Sequence, residues 1–249
     1  DNLFEDQISE GVFIAKENGV LSGIKVMKRV FELVDSTIYL KIINGDGSYV
    51  EKGDIIAIIN GKSRSILKGE RVALNLLQRM SGVATLTRKF VEEITNPKTK
   101  ILDTRKTTPN LRILEKQAVV HGGGINHRMS LSDQVMIKDN HIKAAGSITR
   151  AVDIIKFKVD QSIKIEVEVE SFDQFLEAIA TECDIIMLDN MSNELMRKCV
   201  LANNGKLLEA SGNMTLERIG SVSETGVDFI SVGALTHSYT SLDVSLKFN

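Results

Sequence analysis

The chain has 249 residues, with 31 Lys and Arg against 33 Asp and Glu, giving a formal net charge of −2 at pH 7. That balance lacks the broad basic surface and high pI that nucleic acid calls for, and no apolar run approaches the ~18 residues of a membrane span. Hydrophobic residues at 43% and charged residues at 26% are ordinary for a globular protein, enough for one large α/β domain or two smaller ones.

Val12-Phe13-Ile14-Ala15 and the stretch from Thr37 to Ile42 read as strands, with a helix from Ser22 to Leu33 between them. Asn44-Gly45-Asp46-Gly47 is turn chemistry, because glycine and Asx residues tolerate positive φ. Val50 to Ile56 reads as a hairpin turning at Lys52-Gly53; its likeness to lipoyl and biotinyl carrier hairpins stops at the missing Met-Lys-Met acceptor. From Gly69 to Ile94, Val72, Leu76, Leu77, Met80, Val83, Ala84, Leu86, Phe90 and Val91 recur near helical spacing. They predict one or two amphipathic helices, with Ser81-Gly82 as a break or a close-packing point. Arg71, Asn75 and Gln78 share the polar face at i, i+4 and i+7, where a solvated arginine is the default. Asn96-Pro97 ends the segment, although two prolines in all leave little room for a Pro-rich linker.

From Lys100 the rhythm changes. Short apolar runs recur at Ile101-Leu102, Val135 to Ile137, Ile163 to Val169, Ile185 to Leu188, Leu207-Leu208 and Phe229 to Val232, mostly followed by helical stretches. Strands with no wet face, separated by helices, predict βα units around a buried parallel sheet. Six runs fall short of the eight of a complete barrel, so an incomplete barrel over residues 100–239 is expected. Leu242, Val244, Leu246 and Phe248 then alternate with polar residues at period two. That pattern predicts a half-buried strand over residues 240–249 returning to the sheet of a first domain over residues 1–99.

Polar residues or glycine follow every one of the six runs: Asp103-Thr104-Arg105-Lys106, Lys138-Asp139-Asn140, Glu168, Asp189-Asn190, Glu209 to Gly212, and Gly233. Barrel active sites form where the loops after the strands face a common mouth. One population there is cationic: Arg105, Lys106, His127, Arg128 and Lys138. Arginine suits bidentate recognition of carboxylates and lysine supplies a compact charge. Each alone reads equally well as a surface cation; their gathering after adjacent strands argues for a shared anion site. The second population is acidic. Glu166, Glu168 and Glu170 lie on one side of a strand, with Glu168 the better ligand contact and Glu166 expected to pair with a lysine deeper in. Asp189 suits sugar hydroxyls or Mg2+. Ser211-Gly212-Asn213 and Gly233-Ala234-Leu235, with His237 nearby, are candidate phosphate loops. His121-Gly122-Gly123-Gly124 lacks the P-loop lysine and dinucleotide spacing, and reads as a hinge before His127-Arg128. Cys183 and Cys199 read as two buried thiols in a reducing cytosol, so a cytoplasmic protein is expected.

Gly69-Glu70-Arg71, the run from Asn75 to Thr85, DTRKTTP, GGGINHR, MIKDNH, EVEVE, MLDN, EASGN and SVGALTHS occur in one order, and this set resembles the quinolinate phosphoribosyltransferases from about Lys16 onward. The resemblance implies an N-terminal α/β sandwich domain joined to an incomplete α/β barrel of about six or seven strands, working as a homodimer or a multiple of dimers. It implies quinolinate and phosphoribosyl pyrophosphate as substrates, with Mg2+, and nicotinate mononucleotide, pyrophosphate and carbon dioxide as products in NAD biosynthesis. Carried over by motif, Arg105, His127, Arg128 and Lys138 would hold the two carboxylates of quinolinate. Lys106, Glu168 and Asp189 would contact the ribose and its magnesium, in catalytic roles. Ser211, Gly212, Gly233 and His237 would surround the ribose phosphate, and Arg71 would reach into the neighbouring subunit's site. Asn110 and Asn213 stand where the family favours glycine, a swap that positive φ tolerates. The opening residues lack the family's acidic, glycine-containing start and the chain begins on Asp1, so a missing N-terminal segment is expected. Three alternatives stay open: a paralogous phosphoribosyltransferase associated with molybdenum transport and acting on another aromatic acid, a barrel lyase using Lys106 or Lys138 as a Schiff base, and a non-catalytic sensor of a phosphate ligand.

Overall fold

The computed structural model describes residues 7–248; the expectation about a missing opening segment lies outside them. The chain divides into two compact units, one of Asp1–Arg88, Thr108–Gly124 and Leu235–Asn249, the other of Lys89–Thr107 and Ile125–Ala234. In chain order the elements begin with β1 (Ile8–Ala15), β2 (Gly19–Val20), α1 (Ile24–Val34), β3 (Tyr39–Ile42), β4 (Tyr49–Val50), β5 (Ile55–Lys62) and α2 (Ser63–Glu92). They continue with β6 (Lys100–Leu102), α3 (Arg112–His121), β7 (Gln134–Ile137), α4 (Asp139–Ala145), α5 (Ile148–Lys158), β8 (Lys164–Val169) and α6 (Phe172–Ile179). The last are β9 (Ile185–Asp189), α7 (Asn193–Ala202), β10 (Leu207–Ser211), α8 (Leu216–Ser223), β11 (Phe229–Ser231), α9 (Ala234–His237) and β12 (Val244–Phe248).

The first unit is an antiparallel sheet in the order β12-β1-β5-β3 with helices laid on it. Its core brings Phe13, Ile56 and Ile59 from the strands together with Met27 and Phe31 of α1 and Ile66 and Leu77 of α2. Phe13 and Phe31 meet edge to face at 6.0 Å, a geometry that the ring quadrupoles favour. The Asn44–Gly47 turn has a second use: Asp46 Oδ1 accepts the N–H groups of Gly23 and Ile24 at 2.7 and 2.8 Å, capping the start of α1 from a distance.

Two expectations for this unit are corrected, and one pair of alternatives is decided in favour of close packing. Lys52-Gly53 does turn, with Gly53 at φ 101°, but no hairpin results: β4 pairs with β2, while β5 pairs with β1 and β3. Ser81-Gly82 is no break. α2 runs through it unbroken, and a Cβ at Gly82 would lie 2.2 Å from the Thr240 carbonyl oxygen, so glycine is there for close backbone approach. Residues 108–124, expected in the barrel, cluster with the first unit instead. The cause is α3, whose Glu115 is buried against Arg79 of α2 and whose following Gly122 sits where a Cβ would be 2.4 Å from the Ala84 carbonyl oxygen. Gln78, placed on the polar face, donates from its side chain to the Val244 carbonyl at 2.8 Å and so holds β12.

The second unit is a six-stranded parallel sheet in the order β6-β11-β10-β9-β8-β7. All six apolar runs are strands, and helices alternate with them as the pattern predicts. Beyond β6 the sheet ends in a single parallel bridge between Leu102 and Ile125, the remnant of a further strand. The result is an incomplete α/β barrel.

Candidate active site

Parallel strands deliver their C-terminal ends to one mouth, and the polar residues after β6, β7, β8, β9 and β10 are fixed there by one another. Asp103, fully buried after β6, accepts the backbone N–H of His127 at 2.9 Å. This places the His127 ring inward, its side chain only 7% exposed, with Nε2 3.1 Å from Glu166 Oε2 of β8 and 3.3 Å from Glu209 Oε2 of β10. Glu166 is fully buried and Glu209 nearly so, and the oxygens turned away from His127, Glu166 Oε1 and Glu209 Oε1, lack a hydrogen-bond partner. Burial works against a charge on His127, while hydrogen bonding and charge from the two glutamates pull its pKa upward. Burial first, and then the Glu209 charge, raise Glu166 to about 7.

An imidazole between two carboxylates has the donor types of a metal site. The wiring argues for a proton instead. The Arg128 backbone N–H donates to His127 Nδ1 at 2.8 Å, an acceptor role that leaves Nε2 to carry the hydrogen facing the two glutamates, the atom a metal would need bare. Glu166 also organises Arg128 from another direction. Gln134 donates to Glu166 Oε2 at 2.7 Å, and the Gln134 carbonyl accepts Arg128 Nη1 at 2.9 Å. Burial and the neighbouring Arg105 charge both lower the Arg128 pKa. Two arginines whose charges feel each other suit an anion that can engage both. Glu166 therefore has histidine and glutamine for partners, where a lysine was expected.

The acidic side is equally ordered. Lys138 Nζ lies 2.5 Å from Glu168 Oε2, linking β7 to β8. Asp189, ending β9, accepts Asn190 Nδ2 at 2.7 Å, and Asn190 Oδ1 in turn accepts Asn213 Nδ2 at 3.1 Å. Ser211 ends β10, and Gly212 follows at φ 90°, where a Cβ would lie 2.2 Å from Asn190 Oδ1. Gly233 follows β11 directly before α9. Arg105 is half-buried and Lys106 exposed after β6.

The barrel unit thus gathers ten of the predicted site residues: Arg105, Lys106, His127, Arg128, Lys138, Glu168, Asp189, Ser211, Gly212 and Gly233. Arg71, exposed on α2, and His237, whose Nδ1 is 2.7 Å from Ser238 Oγ, belong to the first unit. No sequence pattern marks Gln134, and none gives Glu209 or Asn190 a role. Glu209 had a signal: a carboxylate between Leu208 and Ala210, inside a strand buried on both faces.

A parallel α/β barrel with cations and carboxylates interleaved at its strand ends has the make-up of a barrel enzyme for a charged small molecule. Family models describing the quinolinate phosphoribosyl transferase N-terminal and C-terminal domains match residues 2–81 and 83–247. The chain is 45% identical over 239 residues to a probable nicotinate-nucleotide pyrophosphorylase [carboxylating] of Synechocystis, covering 94% of this chain and 81% of that protein. It is 44% identical over 246 residues to the Bacillus subtilis protein of the same description, covering 98% and 85%. The crystal structure of NadC from Streptococcus pyogenes superposes with a TM-score of 0.96 at 43% identity, covering all of this chain and 88% of that one. The chain belongs to the quinolinate phosphoribosyltransferase family.

Proposed function

We propose that this chain transfers the phosphoribosyl group of phosphoribosyl pyrophosphate to the ring nitrogen of quinolinate with loss of one carboxylate. The products are nicotinate mononucleotide, pyrophosphate and carbon dioxide, a step of NAD biosynthesis. The observation that carries this reading is the mixed charge of the mouth: the cations Arg105, Arg128 and Lys138 lie in the same unit as the carboxylates of Glu168 and Asp189 at the ends of β8 and β9, and Lys138 Nζ reaches Glu168 at 2.5 Å. A dicarboxylate answers the first and a ribose phosphate the second.

Arg105, Arg128 and Lys138 are assigned to the two quinolinate carboxylates, with His127 beneath them. Lys138 is paired with Glu168 at 2.5 Å and so links the two halves of the mouth. Glu168 and Asp189 face the ribose carbon that becomes electron-poor as pyrophosphate departs, and their negative charge stabilises that oxocarbenium-like state. Lys106 helps to offset the leaving group's charge. Ser211, Gly212 and Gly233 are assigned to the ribose phosphate. Attack by the ring nitrogen makes a pyridinium; the carbon–carbon bond to the adjacent carboxylate then breaks, its electron pair stays on the carbon beside the positive nitrogen, and a proton replaces the lost group. Glu168 and Asp189, on neighbouring strands, supply the oxygen donors that Mg2+ takes beside substrate phosphates, so they would hold the ion. When bound, that ion would offset charge on the pyrophosphate.

The assembly proposed is a homodimer in which Arg71 enters the neighbour's site, in keeping with its exposure on α2. The protein is assigned to the cytoplasm; among the described residues, no helix is long and apolar enough to cross a membrane. The test is turnover by purified protein. Nicotinate mononucleotide should form from quinolinate with phosphoribosyl pyrophosphate and Mg2+, and chelation should stop it. Formation with nicotinate in place of quinolinate, or no formation at all, contradicts the proposal.

A further inference from the structure

The loops after β9 and β10 carry the acidic and the phosphate halves of the sugar site, and they are fastened to each other by side chains to which the family's motifs give no role. Arg218, in the first turn of α8, forks: Nη2 donates to the Met191 carbonyl at 2.7 Å and Nη1 to the Gly212 carbonyl at 3.1 Å. Met191 lies two residues past Asp189, and Gly212 directly follows Ser211. A second fastening runs in parallel. The Asn190 backbone N–H donates to the Ser211 carbonyl at 3.0 Å, while its side chain bridges Asp189 and Asn213. Asn190 at φ 54°, Gly212 at φ 90° and Asn213 at φ 48° all sit in the left-handed region. Glycine takes that conformation freely, but two asparagines held in it on two touching loops persist there because the surroundings favour it.

We propose that Arg218, with Asn190, is a positioning residue that sets the distance between the Asp189 carboxylate and the Ser211-Gly212 phosphate loop. It thereby fixes how phosphoribosyl pyrophosphate is seated; this rests on the function proposed above. A planar guanidinium reaches two carbonyls at once, whereas an ammonium is a point charge that holds one. Neither residue belongs to the quinolinate side, where the fastenings run through Glu166, Gln134 and Asp103.

Arg218→Lys should raise KM for phosphoribosyl pyrophosphate about tenfold and leave the affinity for quinolinate, measured by calorimetry, within about twofold, because a lysine gives up one of two charge-assisted bonds. Asn190→Gly retains the positive φ and removes the amide, so it keeps the test open if the arginine variant does not fold; the same one-sided rise is expected. An unchanged KM in both variants overturns the proposal, as does an equal weakening of both substrates, which would mark a general loss of structure. Wild-type protein in the same assay separates the two claims. Its failure to turn over sinks the functional reading, whereas wild-type turnover with unaltered variants sinks the strut alone.

Discussion

Replacing Arg79 with methionine removes one partner of the ion pair that holds α3 to α2. Glu115 is fully buried; its Oε1 accepts Arg79 Nε at 3.1 Å and Nη2 at 2.5 Å, and its Oε2 accepts the Thr108 N–H at 3.0 Å. Arg79 also donates to the Thr108 hydroxyl and lies 5.1 Å from the Tyr239 ring centroid. Orphaning a charge in such a pair costs about 3–5 kcal/mol. Arg79 keeps 26% of its side chain in solvent, so screening and residual hydration place the cost near the lower end. A loss of about 3 kcal/mol is more than a hundredfold in the unfolding equilibrium. Urea denaturation followed by far-ultraviolet circular dichroism reads it directly. Adding Glu115→Leu should recover most of the loss, because the stranded carboxylate is then gone. A single variant costing under about 1 kcal/mol, the range of exposed pairs, refutes the reasoning; so does a double variant no better than the single one.

Arg128→Ala and Lys138→Ala should each weaken quinolinate binding by on the order of tenfold to a hundredfold, the worth of a hydrogen bond to a charged group, and near-normal affinity in calorimetry contradicts the carboxylate assignment. Gly212→Ala should depress turnover sharply, because its Cβ would collide with Asn190 at 2.2 Å in a backbone conformation alanine resists; wild-type rates would remove the phosphate loop from the account. Asp35 is held down to about 2, from an ordinary 3.8, by the Thr37 hydroxyl, then the Ser65 hydroxyl and the Thr37 N–H. Its depressed pKa means that its contribution is present above about pH 4 and lost as pH falls through 2. Asp35→Asn should therefore melt below wild type near pH 6, the two converging at low pH; a gap that widens on acidification would reverse the sign.

The barrel was legible because its strands are buried on both faces, so each shows as a short apolar run closed by a polar residue or glycine. The first unit was harder to read. A turn at Lys52-Gly53 is fixed by local chemistry, but whether the strands beside it pair with each other is decided by distant partners, here β2 for one and β1 and β3 for the other. Ser81-Gly82 looked the same as a break or a contact point, because glycine serves both and only the Thr240 carbonyl distinguishes them. In the site, charge type and position after a strand were visible for Arg105, Lys138, Glu168 and Asp189. The partners that hold them were not. Gln134 acts through one amide and its own carbonyl, and Arg218 grips two backbone oxygens, neither of which leaves a periodic or compositional trace. Glu166 and Glu209 come together from non-adjacent strands, a meeting that barrel curvature creates.

The central claim is that one mouth couples phosphoribosyl transfer to loss of a carboxylate. Its most direct test is a single incubation of the protein with phosphoribosyl pyrophosphate, Mg2+ and quinolinate isotopically labelled at the carboxylate beside the ring nitrogen. The account predicts labelled carbon dioxide released one for one with unlabelled nicotinate mononucleotide. Labelled mononucleotide, or labelled carbon dioxide with no mononucleotide formed, would contradict it.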